Sequence, residues 1–256
     1  MGVLYRVNEG MTYGESNPYA EENVFIHRER ENRPLPTYEE SKDMLPKPVW
    51  DGHADALACY DKAWQIAFSN LRQPTEASGF CSNFIDTAFN GFLFMWDSSF
   101  IVMFGKYGAR IFDFQATLNN LYSRQHRDGF ICREICETQN GEQFFRHDPA
   151  STGPNVMAWA EWVYYENFGD KKRVAEVFPP LLGYYQWLRA NRTWPDGSYW
   201  SSGWGCGMDN TPRLQEGYHC MFSHGHQVWV DACMQQILSG KILCKMAKIL
   251  GRESET

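Results

Sequence analysis

Apolar residues recur at helical spacing in six stretches of the chain, whereas the alternation typical of strands is scarce. The stretch from about His53 to Asn70 shows the pattern, with a wide apolar face that includes Leu57, Trp64 and Ala67. The spacing predicts helices over roughly 53–70, 97–105 or 97–108, 113–125, 153–169, 171–191 and 228–250. The chain is therefore predicted to be all-α.

Prolines and glycines set the expected helix limits. Pro154 suits the first position of the fourth helix, and Gly251 suits the C-cap of the sixth. Pro179-Pro180 predicts a break or kink inside the fifth helix. Residues 128–147 are predicted to form a short hairpin or an irregular excursion around Asn140-Gly141.

The pattern divides the chain into a polar N-terminal region and a helical remainder. Residues 1–50 are polar and proline-rich, with Arg33-Pro34-Leu35-Pro36 as an example, and are predicted to form an irregular N-terminal arm. Residues 51–256 carry the helices. Because 43% of the residues are hydrophobic, this part can bury a substantial core.

Charge and hydropathy exclude several partners. The net charge of −7 argues against nucleic acid, and no apolar run is long enough to cross a membrane. The N-terminus lacks the pattern of a signal peptide, and the eight cysteines form no Cys-x-x-Cys pair. We expect a cytoplasmic protein with reduced thiols, or a secreted or periplasmic one if a leader has been removed.

The segment 194–213 carries the most functional information. It is crowded with glycine and tryptophan around the carboxylate of Asp209. Glycines let a backbone approach a ligand closely, and indole faces suit the C–H faces of sugar rings. Asp, Asn and Arg side chains suit sugar hydroxyls. An ordinary turn-rich loop with its aromatic side chains folded onto the core explains the composition about equally well.

A second segment, Gly91 to Phe100, places Trp96-Asp97 after an apolar run at the start of a predicted helix. An aspartate in this position is commonly a helix cap. Asp128, Arg133 and Glu134 form a charged cluster near a Gly-Phe turn, and such residues are most often solvated. Each feature alone is weak.

In order along the chain, these segments resemble the inverting α-glycosidases of glycoside hydrolase family 63 and the related trehalases of family 37. The resemblance is carried by four segments and covers roughly residues 50–250. They are Trp96-Asp97, Asp128-Gly129-Phe130-Ile131, Gly153-Pro154-Asn155-Val156-Met157-Ala158-Trp159 and Gly207-Met208-Asp209-Asn210-Thr211-Pro212-Arg213.

The resemblance implies an (α/α)6 toroid, a barrel of twelve helices in two rings, of which the six predicted helices make about half. It also implies that Asp209 is the general acid, while the general base lies in the second half of the barrel, outside this chain. Trp96 and Asp97 would hold the sugar. The remaining candidate substrate-binding residues are Phe100, Asp128, Asn155, Trp204, Asn210 and Arg213.

The expected function is inverting hydrolysis of an α-glucoside, a trehalose-like disaccharide or a glycosyl-glycerate. The alternative is a non-catalytic, carbohydrate-binding half-barrel that lacks the base. No cofactor is expected, and His224-Gly225-His226 is poor evidence for a metal. The apolar sixth helix predicts an edge that a C-terminal half or self-association must cover.

Overall fold

Helices dominate the computed structural model, which describes residues 16–87, 90–208, 216–217, 219 and 222–256. The α-helices are α1 Pro18–Glu21, α2 Tyr38–Ser41, α3 Ala54–Ser69, α4 Met95–Gly105, α5 Thr117–Tyr122, α6 Met157–Phe168, α7 Lys171–Asn191 and α8 Val230–Leu250. The strands are β1 Leu71–Arg72, β2 Phe84–Ile85, β3 Phe92–Phe94 and β4 Glu134–Cys136. Short 3₁₀ turns occupy Val24–His27, Lys42–Met44, Lys106–Gly108, Phe114–Ala116 and Glu253–Glu255. The fold is thus mostly helical with two small sheets.

Helix α7 has the predicted limits and continues through Pro179 and Pro180, which are both buried. The Asp170 side chain caps it by accepting a hydrogen bond of 3.0 Å from the Arg173 backbone N–H. Helix α8 ends as predicted, with Gly251 in the left-handed region at φ 70°. The predicted helix at 113–125 divides into the 3₁₀ turn Phe114–Ala116 and α5.

The structure corrects one predicted helix start and shifts another by two residues. Helix α6 begins at Met157, because the Val156 N–H bonds the Pro154 carbonyl at 2.9 Å and closes a turn ahead of the helix. Pro154 therefore precedes the helix and does not open it. Helix α4 begins at Met95, two residues earlier than predicted, so that Trp96 and Asp97 lie in its first turn.

The region 128–147, predicted as a short hairpin or an irregular excursion around Asn140-Gly141, forms a local antiparallel return there and also pairs with a distant strand. Strand β4 lies antiparallel to β3, with Leu93 opposite Ile135. The chain then returns through a turn, and Ile135 forms an isolated bridge with Glu142. Strands β1 and β2 form a second antiparallel pair. Both pairings join segments separated by turns or helices, and the sequence pattern predicted neither.

The core consists of two clusters. The larger one joins buried side chains of α4 to α8, including Leu118, Tyr122 and Tyr184. The smaller one surrounds Trp64 of α3 and Phe114. Helices α4 and α6, α6 and α7, and α7 and α8 pack in pairs, so each of these helices adjoins the next in the series.

The described part of the N-terminal arm packs on this core. The Phe25 side chain is fully buried in the larger cluster. The Asn23 side-chain amide donates to the Tyr122 carbonyl and to the Gln125 side chain, both at 2.9 Å. Residues 16–50 thus hold the outer side of α5 through one aromatic anchor and a buried amide.

One face of α8 remains apolar and exposed, with Val230, Met234, Ile237 and Leu238 spaced at helical intervals along it. Helices α6 and α7 cover the opposite face. Across the described ranges, no helix combines the length and the hydropathy that crossing a membrane requires.

Candidate functional site

A cleft of about 450 Å³ opens where the β3–β4 pair meets the start of α4 and the loop at 203–208. This volume is in the range of small-molecule sites. Its walls combine aromatic rings with a few polar groups. The lining residues are Asn90, Phe92, Phe94, Trp96, Asp97, Arg133, Glu134, Gln143, Gly153, Pro154, Trp204 and Gly207.

Strand β3 positions Trp96 and Asp97 by leading directly into α4. Phe94 has an extended backbone at φ −98° and ψ 134°, and the Met95 N–H donates to the Arg133 carbonyl at 2.8 Å. The chain therefore turns from strand to helix at the cleft. The Trp96 indole is half-buried and lies edge-on to the Phe100 ring, with 4.7 Å between centroids. Asp97 is exposed toward the cleft.

Gly207 brings the loop that carries Asp209 against this helix start. Its φ of 72° favours glycine. A Cβ atom there would lie 2.8 Å from Cδ2 of Trp96 and 3.0 Å from Cγ of Pro154, closer than real Cβ contacts. Two predicted sugar-binding segments, Trp96-Asp97 and Gly153-Pro154, therefore meet the third at this glycine.

Arg133 and Glu134 form a buried ion pair on one wall of the cleft. The Arg133 Nε–H also donates to the Ala150 carbonyl at 2.6 Å. The guanidinium lies 4.6 Å from the Phe144 ring centroid and 5.8 Å from that of Trp204. This pair fixes a positive and a negative group beside the aromatic wall, where a polar ligand could meet both.

The other predicted site residues lie elsewhere or outside the described residues. Asp128 pairs with Arg146 and accepts a hydrogen bond of 2.9 Å from the Trp187 indole. It is not among the residues that line the cleft. Asn155 is buried and donates to Gln236 of α8. Phe100 reaches the cleft only through its contact with Trp96.

Asp209, Asn210 and Arg213 lie outside the described residues, which end on this loop at Met208. Trp204, four residues earlier, does line the cleft. Its ring contacts Phe144, with 6.1 Å between centroids, and Phe222, with 4.8 Å. The loop is thus anchored in the cleft directly ahead of Asp209.

Four lining residues were missed from the sequence: Asn90, Phe92, Phe94 and Gln143. Phe92 and Phe94 share one face of β3, and the Gln143 N–H bonds the Glu134 carbonyl of β4 at 3.1 Å. The alternation of Phe92, Leu93 and Phe94 between a half-buried and a fully buried environment is a strand signal, but it is only three residues long.

The two histidines at 224 and 226 lie outside the cleft lining, and their rings are 4.8 Å apart. The His226 N–H donates to Nδ1 of His224 at 3.0 Å, and both rings contact Trp194. Within the described ranges no cluster of three or more His, Cys, Asp or Glu side chains is arranged to hold a metal ion. The pair packs as part of an aromatic cluster.

Comparison with known families gives a match over residues 92–255 to the mannosylglycerate hydrolase MGH1-like glycoside hydrolase domain. An uncharacterised protein of Borreliella burgdorferi is 27% identical over 150 residues, which are 57% of this chain and 30% of that protein. This chain therefore spans less than a third of that relative's length.

Two solved structures from Thermus thermophilus also match. An uncharacterised conserved protein has a TM-score of 0.51 at 18% identity, and the match covers 76% of this chain and 60% of that one. A GH63 mannosylglycerate hydrolase in complex with Tris and D-glycerate has a TM-score of 0.44 at 21% identity, covering 73% and 50%. The first match shows a shared fold.

Proposed function

Because the chain belongs to the MGH1-like glycoside hydrolase domain family, we propose that it hydrolyses an α-glycosidic bond with inversion at the anomeric carbon. One observation carries the proposal. The Trp96-Asp97 helix start and the loop leading to Asp209 meet in a single aromatic cleft at Gly207. Residues far apart in sequence thus converge on one site suited to a sugar.

In this proposal the sugar ring lies against the Trp96 and Trp204 indoles, and Asp97 accepts hydrogen bonds from its hydroxyls. Asp209 follows Met208 by one residue and would protonate the leaving oxygen as general acid. Burial among apolar groups keeps such a carboxyl protonated near neutral pH. Asn210 and Arg213 are proposed to contact the ligand, whereas Phe100, Asp128 and Asn155 do not line the cleft and would act only through neighbouring residues.

Inversion also needs a general base, which activates a water on the opposite face of the sugar. The two carboxyl groups are then roughly 6.5–9.5 Å apart. We propose that the base lies outside these 256 residues, in the second half of an (α/α)6 barrel. The successive packing of α4, α6, α7 and α8 supports the first half of such a barrel.

Glycosyl-glycerates are the first substrates to test, since the matched family is described by mannosylglycerate hydrolase. Trehalose and α-glucosides are the next. The measurement is hydrolysis by the natural full-length protein, with proton NMR reporting the anomer first released from an α-linked substrate. Release of the β-anomer supports inversion, and release of the α-anomer would overturn it.

Asp209→Asn tests the general acid. The amide keeps the shape of the carboxyl but cannot donate its proton, so turnover should fall by about 10²–10⁴-fold while substrate binding persists. Asp196→Asn is the matched control, because Asp196 caps an exposed turn through Ser198 and does not line the cleft. It should keep the parental rate.

Two results would contradict the proposal. If Asp209→Asn hydrolyses at the parental rate, Asp209 is not the acid. If the full-length parent binds the sugars in the cleft but cleaves none of them, the protein is a non-catalytic carbohydrate-binding protein instead.

A further inference from the structure

The chain turns tightly at residues 224–227, a segment that we call the histidine turn. The Gln227 N–H donates to the His224 carbonyl at 3.2 Å. The two central residues, Gly225 and His226, have φ angles of 60° and 51°. Positive φ at both central positions is typical of a type I′ turn, in which glycine and asparagine are preferred. A histidine in the second of these positions is therefore unusual.

The backbone of His226 is strained, and one hydrogen bond holds it. Among the described residues no other non-glycine residue has a positive φ, and such a backbone persists only where its surroundings stabilise it. The His226 N–H donates to Nδ1 of the His224 ring at 3.0 Å. A backbone N–H can only donate, so this Nδ1 is an unprotonated acceptor and the neutral ring carries its proton on Nε2. The turn is thus built around neutral His224.

The surroundings of His224 oppose a positive charge on its ring. The imidazole contacts the indoles of Trp194 and Trp200, with 5.1 and 5.0 Å between centroids. The Arg192 guanidinium already lies 4.7 Å from the centroid of the Trp200 ring. Burial, and then the charges of His226 and Arg192, lower the pKa of His224 from its usual 6.5. Among the described residues these two are the titratable or charged groups that act on His224, one from its own turn and one from the end of α7.

A second proton on the His224 ring converts the Nδ1 acceptor into a donor. Two N–H groups then face each other across 3.0 Å, so the hydrogen bond is lost. His226 is left in a left-handed backbone without the bond that stabilised it. Because the folded turn lowers the pKa of His224, an open turn takes up this proton more readily than the closed one. The closed turn is therefore most stable above pH 6.5 and loses stability as the pH falls.

Phe222 joins the histidine turn to the cleft. Its ring lies 4.8 Å from the ring of Trp204, which lines the cleft. The next residue, Ser223, is tied to the turn, because its Oγ accepts a hydrogen bond of 3.0 Å from the Gly225 N–H. Since Phe222 is 42% exposed, the core does not enclose it, and its position depends on the turn that follows.

We propose that protonation of His224 opens the histidine turn and moves Phe222 away from Trp204, so that one wall of the cleft rearranges at acidic pH. At neutral pH the closed turn holds the Phe222 ring against Trp204. The device consists of one imidazole acceptor and one strained residue, His226, whose backbone depends on it. It concerns the shape of the cleft and does not depend on the proposed hydrolysis.

NMR of the natural full-length protein, labelled with ¹⁵N at histidine and tryptophan, tests the proposal between pH 7.5 and pH 5. The ring nitrogens of His224 report its protonation, and the indole N–H of Trp204 reports the cleft wall. Both signals should change together, with one midpoint below 6.5. The indole of Trp64, which is buried in the smaller core cluster, should stay in place and serves as the internal control.

Two variants separate the parts of the device. In His224→Asn the amide oxygen replaces Nδ1 as the acceptor and does not titrate, so the Trp204 signal should keep its neutral position at pH 5. His226→Gly removes the backbone strain and should reduce the movement of Trp204 while His224 still takes up its proton. His27→Asn, at an exposed histidine, is the matched control and should follow the parent.

Three results would overturn the proposal. If His224 stays neutral down to pH 5, nothing opens the turn in this range. If His224 gains a proton and the Trp204 signal does not move, the turn is not coupled to the cleft. If Trp204 moves equally in the parent and in His224→Asn, another group causes the change. The first two results are read from the parent alone and hold even if a variant does not fold.

Discussion

Replacing Glu137 with glutamine tests a partly buried carboxyl pair that Glu137 forms with Asp86. Glu137 follows β4 and hydrogen-bonds Asp86, which follows β2. Burial, together with the hydrogen bond and charge of Asp86, raises the pKa of Glu137 from 4.5 to about 8. One oxygen of each carboxyl, Oδ1 of Asp86 and Oε1 of Glu137, is buried without a partner in the described structure.

The raised pKa of Glu137 determines how the stability of the folded protein changes with pH. The folded protein holds the Glu137 proton to a higher pH than the unfolded chain does, so stability falls as the pH rises from about 4.5 to about 8. The full shift corresponds to roughly 5 kcal/mol. Because the Glu137 side chain is partly solvated, we expect the free energy of unfolding to fall by about 2 kcal/mol over this pH range.

Glutamine donates the same hydrogen bond to Asp86 without a proton to lose. Urea unfolding at pH 5, 7 and 9 should therefore show Glu137→Gln about equal to the parent at pH 5. At pH 9 the variant should be more stable by about 2 kcal/mol. The exposed Glu76→Gln is the control and should follow the parent throughout. If the parent and Glu137→Gln differ by a constant amount at all three pH values, Glu137 does not hold a proton in the folded state.

Two further predictions concern packing. Phe25→Ala should lower the free energy of unfolding by about 3–5 kcal/mol in urea melts, because it empties a fully buried site in the larger core cluster. A decrease below about 1 kcal/mol would mean that the N-terminal arm is not anchored by Phe25. The 256-residue chain alone should bind an apolar dye or associate on size exclusion, because of the exposed apolar face of α8. Ile237→Lys on that face should weaken dye binding and association, whereas Lys248→Ala should not. A monomeric parent that binds no dye would contradict this prediction.

Helix limits were predictable where a local signal sets them. Helix α7 has an aspartate cap at Asp170 and a long apolar face, and Gly251 ends α8. The sequence pattern therefore located the start of α7 and the end of α8. The start of α6 was not predictable in this way. Pro154 fits a first helical position equally well, but the segment packs tightly at the cleft wall, where a Cβ added to Gly153 would lie only 3.0 Å from Cβ of Arg133.

The sheets and several cleft residues could not be predicted because their partners are distant. Leu93 pairs with Ile135, which is distant in sequence, and a strand of three residues is too short for its alternation to stand out. Gln143 reaches the cleft because the chain returns along β4, where the Gln143 N–H bonds the Glu134 carbonyl. The position of the Asp128 side chain likewise depends on a distant partner, since it accepts a hydrogen bond from Trp187 of α7.

The candidate site shows why motifs in a fixed order carry more information than their residues taken singly. Trp96-Asp97 alone fits a helix cap, and Trp204 alone fits a core aromatic. Gly207 links these segments in space, because its close approach to Trp96 and Pro154 leaves no room for a side chain and its backbone is left-handed. A loop with a merely structural role could turn at many positions. This loop turns where three segments meet at one cleft, and that convergence makes the residue after Met208 the first one to test.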